Sequence, residues 1–104
     1  MEKYKILNGY LDQEGKFSQM PGKRQKKKLA FMLHFLAQQF EEGKTYSEME
    51  VNEILNQHHS FNDPATLRRL MFGSKLLNRT LDGKSYWLMK EHQQSDFIST
   101  ALDS

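Results

Sequence analysis

The chain has 104 residues, enough for one domain with one core and too few for two. Apolar residues make up 38% and aromatic residues 12%, which supports a packed interior and argues against disorder. The absence of cysteine excludes disulfides and thiolate metal sites. No apolar run reaches the length of a membrane span and the first residues lack a signal-peptide pattern, so we expect a soluble cytoplasmic protein.

The net charge of +2 hides a segregated charge pattern. Residues 23–28, the basic segment, carry five cations, whereas residues 41–56 carry five glutamates and one lysine. Residues 68–90 are basic again, with Asp82 as their single acidic residue. Such segregation creates local fields that the near-neutral total conceals.

The first twenty residues predict one helix and one loop. Residues 3–11 place apolar side chains at helical spacing, which favours a helix. Turn-forming residues then lie on both sides of Phe17, and they predict a loop or one short strand that ends at Pro21.

The basic segment leads directly into the longest helical pattern. Apolar residues recur at positions i, i+3, i+4, i+7, i+8 and i+11, and they are Leu29, Met32, Leu33, Leu36, Ala37 and Phe40. Phe31 and Phe35 add a second apolar flank, so this helix is predicted to be central to the core. The preceding cations oppose the helix macrodipole, at a cost of a few tenths to about 1 kcal/mol each.

Two capped helix starts follow. Ser47 and Glu50 form a capping-box pattern, and Tyr46 and Val51 around them form a hydrophobic-staple pattern. Val51, Ile54, Leu55 and His58 are predicted to line one face of that helix. Asp63 and Pro64 supply the cap and the first position of the next helix. Two short helices joined by a few residues indicate a helix-turn-helix.

The period of the pattern then changes from 3.6 to 2. Asp82-Gly83 lies between two short alternating runs, which predicts a hairpin with a two-residue turn. A turn centred there sets the pairs across the hairpin as Leu77 with Leu88, Asn78 with Trp87, and Arg79 with Tyr86. At least one of Tyr86 and Trp87 is expected in the core.

These elements predict an α+β, mainly helical fold: a winged helix-turn-helix with a C-terminal β-hairpin wing. We expect a single domain over residues 1–90, with an N-terminal helix and loop in 1–20 and the core in 21–90. Residues 91–104 are expected to form a polar, weakly helical tail.

The same residues resemble an uncharacterised bacterial family, domain of unknown function 2087. The resemblance covers roughly residues 12–90, and its elements are Tyr46, Glu50-Val51-Asn52, Ile54-Leu55, Leu67-Arg68-Arg69, Leu76-Leu77, Arg79-Thr80, Asp82-Gly83 and Tyr86-Trp87. It implies a winged-helix-like bacterial protein of the kind labelled transcriptional regulators, without an assigned mechanism. Leu70 and Lys75 stand where the family usually has an acidic residue and a glycine.

Charge placement and this resemblance together predict binding to double-stranded DNA. The expected DNA-binding residues are Lys23, Arg24, Lys26, Lys27, Thr66, Arg68, Arg69, Lys75, Arg79 and Lys84. The second helix of the motif would enter the major groove, and Arg79 and Lys84 of the wing would contact phosphates. Setting Leu67 and Met71 inward is expected to place Arg68 and Arg69 on the outer arc of that helix.

Other interpretations of these residues stay open. Arg68 or Arg69 could instead pair with Glu50 or Glu53 and hold two helices together, and the basic segment could be a solvated helix start. The fold would then serve as a protein-interaction module, and a homodimer is a candidate assembly in either case. We expect no enzymatic activity, metal or cofactor, because neither a catalytic motif nor a metal-ligand spacing is present.

Overall fold

The computed structural model describes residues 2–89, with side chains from residue 5 onward, and the order of elements follows the predicted order. The elements are a 3-10 helix over Glu2–Tyr10, α1 over Lys26–Ala37, β1 over Thr45–Tyr46, α2 over Glu48–Asn56, α3 over Pro64–Gly73, β2 over Leu77–Arg79 and β3 over Tyr86–Leu88. The expected tail, residues 91–104, lies outside the described residues.

The core forms around α1, as the apolar stripe predicted. Met32, Leu36 and Ala37 are fully buried and belong to one cluster with apolar residues of α2 and α3. Phe31 is buried as well, whereas Leu29 of the predicted stripe is half-buried. Among the described residues, no helix is long and apolar enough to cross a membrane.

The starts of α2 and α3 are capped as predicted. The Ser47 hydroxyl accepts a hydrogen bond from the Glu50 N–H, and the Glu50 carboxylate accepts one from the Ser47 N–H. Asp63 accepts from the Thr66 N–H at the start of α3, with Pro64 in the first turn. Each capping side chain satisfies a backbone donor that the first turn leaves free.

The sheet has three antiparallel strands in the order β1-β3-β2. The hairpin register of Leu77 with Leu88, Asn78 with Trp87 and Arg79 with Tyr86 confirms the prediction, and Tyr86 is the aromatic residue that the core buries. β1 was missed, because two residues are too few to show an alternating pattern.

The connection within the hairpin was predicted wrongly as a two-residue turn. The Thr80 N–H donates to the Ser85 carbonyl and the Gly83 N–H donates to the Thr80 carbonyl, so four residues lie between Thr80 and Ser85. Gly83 adopts a φ of +71°, a left-handed conformation that glycine takes at low cost. The register is unchanged because both loops have the same centre.

The N-terminal region contains the helix and the loop that the sequence predicts. Glu2–Tyr10 is a 3-10 helix. Phe17 forms single bridges to Leu11 and to His59 and no continuous strand. It is almost completely buried, so burial of one aromatic side chain, and not a strand ladder, anchors this loop to the core.

Candidate nucleic-acid interface

Arg68 lies in the interior, which corrects its predicted position on the outer arc of α3. Its side chain is 10% exposed, and it forms an ion pair of 2.7 Å with Glu48. It also donates a hydrogen bond to the side-chain oxygen of Asn52, and its guanidinium lies 5.9 Å from the ring centre of Tyr86. Arg68 therefore joins α2, α3 and the sheet, and is not available to contact DNA.

The alternative prediction, that Arg68 pairs with a glutamate of the preceding helix, was correct, but the glutamate is Glu48 and not Glu50 or Glu53. Glu48 and Asn52 hold Arg68, whereas Glu50 is occupied by the capping box. Glu48 lies in the first turn of α2, so its negative charge also interacts favourably with the positive end of the helix macrodipole.

The outer face of α3 carries Arg69 and, just beyond its end, Lys75. Both side chains are exposed, and no ion pair involves either of them within the described part of the chain. Lys75 has a φ of +64°, the left-handed conformation that favours glycine after the end of a helix. The helix thus ends with a strained lysine whose side chain reaches solvent.

The N-terminal turn of α3 is held by Asp63, Thr66 and His59. Hydrogen bonds from the Thr66 side chain and then from its backbone lower the pKa of the Asp63 carboxyl below its usual value. Thr66, a predicted contact to bases, is half-buried and engaged in this cap. The expected role of Thr66 in base contacts would therefore require its hydroxyl to leave Asp63.

His59 connects the end of α2 to the start of α3. Its ring lies 2.7 Å from the carbonyl of Leu55 through Nδ1 and 2.9 Å from the Asp63 N–H through Nε2. Because a backbone N–H can only donate, Nε2 accepts, which places the ring proton on Nδ1 of a neutral imidazole. The sequence pattern did not indicate this role for His59 and placed His58 on the packed face. His58 is half-buried.

The tip of the hairpin is fixed by side-chain hydrogen bonds. The Asp82 carboxylate accepts from the Thr80 hydroxyl and the Lys84 N–H, and these bonds lower its pKa, with the Thr80 bond contributing most. Lys84 itself is exposed, as a wing contact to phosphate requires. Arg79 instead turns back on the chain, with Nη1 bonded to the carbonyls of Thr80 and Leu81.

The basic segment lies at the other end of α1 from the sheet. Lys28 approaches the ring of Tyr10 at 5.3 Å, beside the N-terminus of α1, whereas the chain just after α1 reaches β1 through the Glu41 N–H and the Tyr46 hydroxyl. Twelve helical residues span about 18 Å. The predicted contacts Lys23, Arg24, Lys26 and Lys27 are all exposed at or just before the N-terminal end of α1.

No metal centre is formed within residues 5–89, where no three acidic or histidine side chains come together. Burial lowers the pKa of His58, with a smaller contribution from the charge of Lys16. Its ring packs edge-on against Phe35 at 6.1 Å between centres. A half-buried, neutral histidine against an aromatic ring is a packing residue.

Together these elements define a small α+β domain, in which a three-stranded antiparallel sheet contacts the two capped helices α2 and α3, a layout consistent with a winged helix. The chain belongs to the family described as uncharacterized protein conserved in bacteria, DUF2087, whose profile matches residues 16–88. No curated protein and no solved structure matches the chain at the significance required.

Proposed function

We propose that the domain binds double-stranded DNA through the outer face of α3 and the hairpin tip, and that it acts in transcription as a winged helix-turn-helix protein. One observation carries this proposal: Arg69, Lys75 and Lys84 are exposed without an ion pair in the described chain, on two elements that pack together. Cations presented in this way contact phosphates and release condensed counterions from the duplex.

The ion pair of the buried Arg68 with Glu48 supports the geometry that the proposal needs. A helix that enters a DNA groove must be held at a fixed angle by the helix before it. Glu48 and Asn52 of α2 hold Arg68 of α3 from one side, and His59 joins the two helices at the turn. The outer arginine, Arg69, then carries the interaction with DNA.

Fluorescence anisotropy with a labelled random duplex tests the proposal. We expect binding at about 50 mM salt that weakens steeply toward about 200 mM, with a log–log slope that falls by about one for each phosphate contact removed. Arg69→Ala and Lys84→Ala should each lower the slope by about one. Glu42→Ala, which removes an exposed acidic residue outside the proposed surface, is the matched control and should leave the slope unchanged. Undetectable binding at the lower salt concentration would contradict the proposal.

A second function is favoured by the same ion pair. If the scaffold serves as an interaction module, Arg68 and Glu48 hold its helices together and DNA is not a ligand. This alternative predicts a stable oligomer or complex by light scattering and no salt-dependent response to duplex DNA. The two measurements distinguish the functions. A monomer that binds DNA excludes the interaction module, and an oligomer that does not bind DNA excludes the DNA-binding function.

A further inference from the structure

The hairpin tip presents an apolar side chain entirely to solvent. Leu81 has a relative exposure of 103%, compared with 70% for Met49 and 38% for both Phe72 and Leu11. Single exposed leucines are common on protein surfaces. This one differs because hydrogen bonds hold the residues directly before and after it.

Several hydrogen bonds fix the loop that carries Leu81. The Gly83 N–H reaches the Thr80 carbonyl at 3.0 Å, and the Thr80 hydroxyl donates to Asp82 at 2.6 Å. The Ser85 N–H returns to the Thr80 hydroxyl at 3.2 Å. A side chain on such a loop reaches a partner without ordering the backbone first, which lowers the entropic cost of binding.

Arg79 connects this loop to α3. Its Nη1 lies 3.2 Å from the Thr80 carbonyl oxygen and 3.4 Å from that of Leu81. Its guanidinium carbon lies 4.6 Å from the ring centre of Phe72 on α3, a cation–π arrangement. One side chain therefore sets the position of the hairpin tip relative to the helix that carries Arg69.

We propose that Leu81 is an apolar wedge that enters the minor groove of double-stranded DNA and partly unstacks one base step, and that Arg79 positions it. The inference rests on the proposed function and adds a residue and a mode of contact to it. Leucine is among the side chains that proteins insert between base steps, and insertion kinks the duplex. Lys84, three residues from Leu81 on the same loop, would contact the adjoining phosphates.

Leu81→Ala tests the wedge, with duplex bending measured by energy transfer between end labels and affinity measured by anisotropy. We expect affinity to fall about tenfold, because much of the apolar area buried by leucine is lost. Bending should decrease, whereas the salt slope should be unchanged, because no charge is removed. Leu81→Met should retain bending. Met49→Ala, which truncates the other strongly exposed apolar side chain, should change neither quantity.

Arg79→Lys tests the positioning role. Lysine keeps the charge but lacks the planar guanidinium that stacks on Phe72 and bonds the two carbonyls. Bending should therefore decrease while the salt slope stays the same, and melting temperatures should show that the variant is folded. A phosphate contact by Arg79 would give the opposite result: Arg79→Lys would keep bending, and Arg79→Gln would lower the slope by about one.

The outcomes separate the wedge from the proposed function. If the natural sequence binds DNA with a steep salt slope but Leu81→Ala binds and bends it equally well, the wedge is wrong and DNA binding stands. Binding to an unbent duplex also overturns the wedge. If the natural sequence does not bind duplex DNA, both proposals fail.

Discussion

The two cationic regions of the molecule hold their charges in opposite ways. In the region of α2, α3 and the hairpin, Arg68 is buried in an ion pair and Arg79 is stacked on Phe72. In the basic segment, the helix start has no side-chain cap and no acidic residue in its first turn. The first region buries or stacks some of its cations and leaves others exposed, whereas the second exposes all of its cations except Lys28, which lies over the ring of Tyr10.

This difference teaches that a basic cluster cannot be assigned to a ligand by charge alone. Residues 68–90 hold fewer cations per residue than the basic segment, but there the structure separates internal cations from external ones. The five predictions below test that separation, from the largest expected effect to the smallest.

His59→Ala is expected to have the largest effect on stability. The substitution removes a ring that is 3% exposed and packs against Phe61, and it leaves the Asp63 N–H without its partner. The Leu55 carbonyl loses one bond but still accepts from the His58 N–H. One unsatisfied donor costs about 1–3 kcal/mol and the lost packing of the ring adds to this cost, so we expect a loss of roughly 3 kcal/mol in urea unfolding. Gln57→Ala, at an exposed position near the end of α2, is the control. Equal losses for the two variants would show that His59 is not a structural connection.

Arg68→Ala should destabilise the fold and Arg69→Ala should not. Arg68→Ala removes the ion pair with Glu48 and the hydrogen bond to Asn52. Because Glu48 is half exposed, the free energy of unfolding should fall by about 2 kcal/mol, which is less than the usual range for buried pairs. Arg69→Ala removes the same side chain from the exposed face and should stay within about 0.5 kcal/mol. Chemical unfolding of both variants measures the difference. A larger loss for Arg69 would reverse the assignment of internal and external arginines.

Lys75→Gly should stabilise the protein. Glycine relieves the strain of a φ of +64°, and the greater freedom of the unfolded chain offsets part of that gain, which leaves roughly 0.5–1 kcal/mol. Lys75→Ala removes the same charge but keeps the Cβ atom, so thermal unfolding should show no such gain. If alanine stabilises as much as glycine, relief of charge repulsion and not of backbone strain is the cause.

Replacing Lys26, Lys27 and Lys28 together with alanine should leave the fold intact and make it slightly more stable. The three charges lie in the first turn of α1, where they oppose the macrodipole, so their removal contributes from a few tenths to about 1 kcal/mol each. The loss of the contact between Lys28 and the ring of Tyr10 offsets part of this gain. Thermal unfolding at low salt measures this gain. If the patch also contacts DNA, the salt slope of binding should fall by up to about three; an unchanged slope identifies it as a solvated helix start.

The pH dependence of stability should include a contribution from His58. Its pKa is lowered in the folded state by burial, so the unfolded chain binds more protons between that pKa and about 6.5. Stability should be full above about pH 6.5 and decrease as the pH falls toward the folded-state pKa. His58→Gln should flatten the urea-unfolding profile in this window. A contribution of His58 to stability that decreases as the pH rises through this window would contradict the sign of the shift.

Much of the fold could be predicted because its signals are local. The capping box of Ser47, the cap of Asp63 and the hairpin register all depend on residues a few positions apart, and the structure has each of them. The candidate site was only partly predictable. The sequence pattern placed both Arg68 and Arg69 on the outer face of α3, whereas Arg68 is buried. The connection made by His59 had no sequence signal, because its partners are backbone groups.

The sequence by itself determined where the helices begin, which residues pair across the hairpin and which family the chain resembles. The tertiary structure decided that Arg68 faces Glu48, that Arg79 stacks on Phe72 and that Lys28 of the basic segment lies over the ring of Tyr10. The physical reason is the distance along the sequence between the residues that interact. A cap or a register is settled by neighbouring residues, whereas the burial of one flank of a helix depends on which distant elements pack against it.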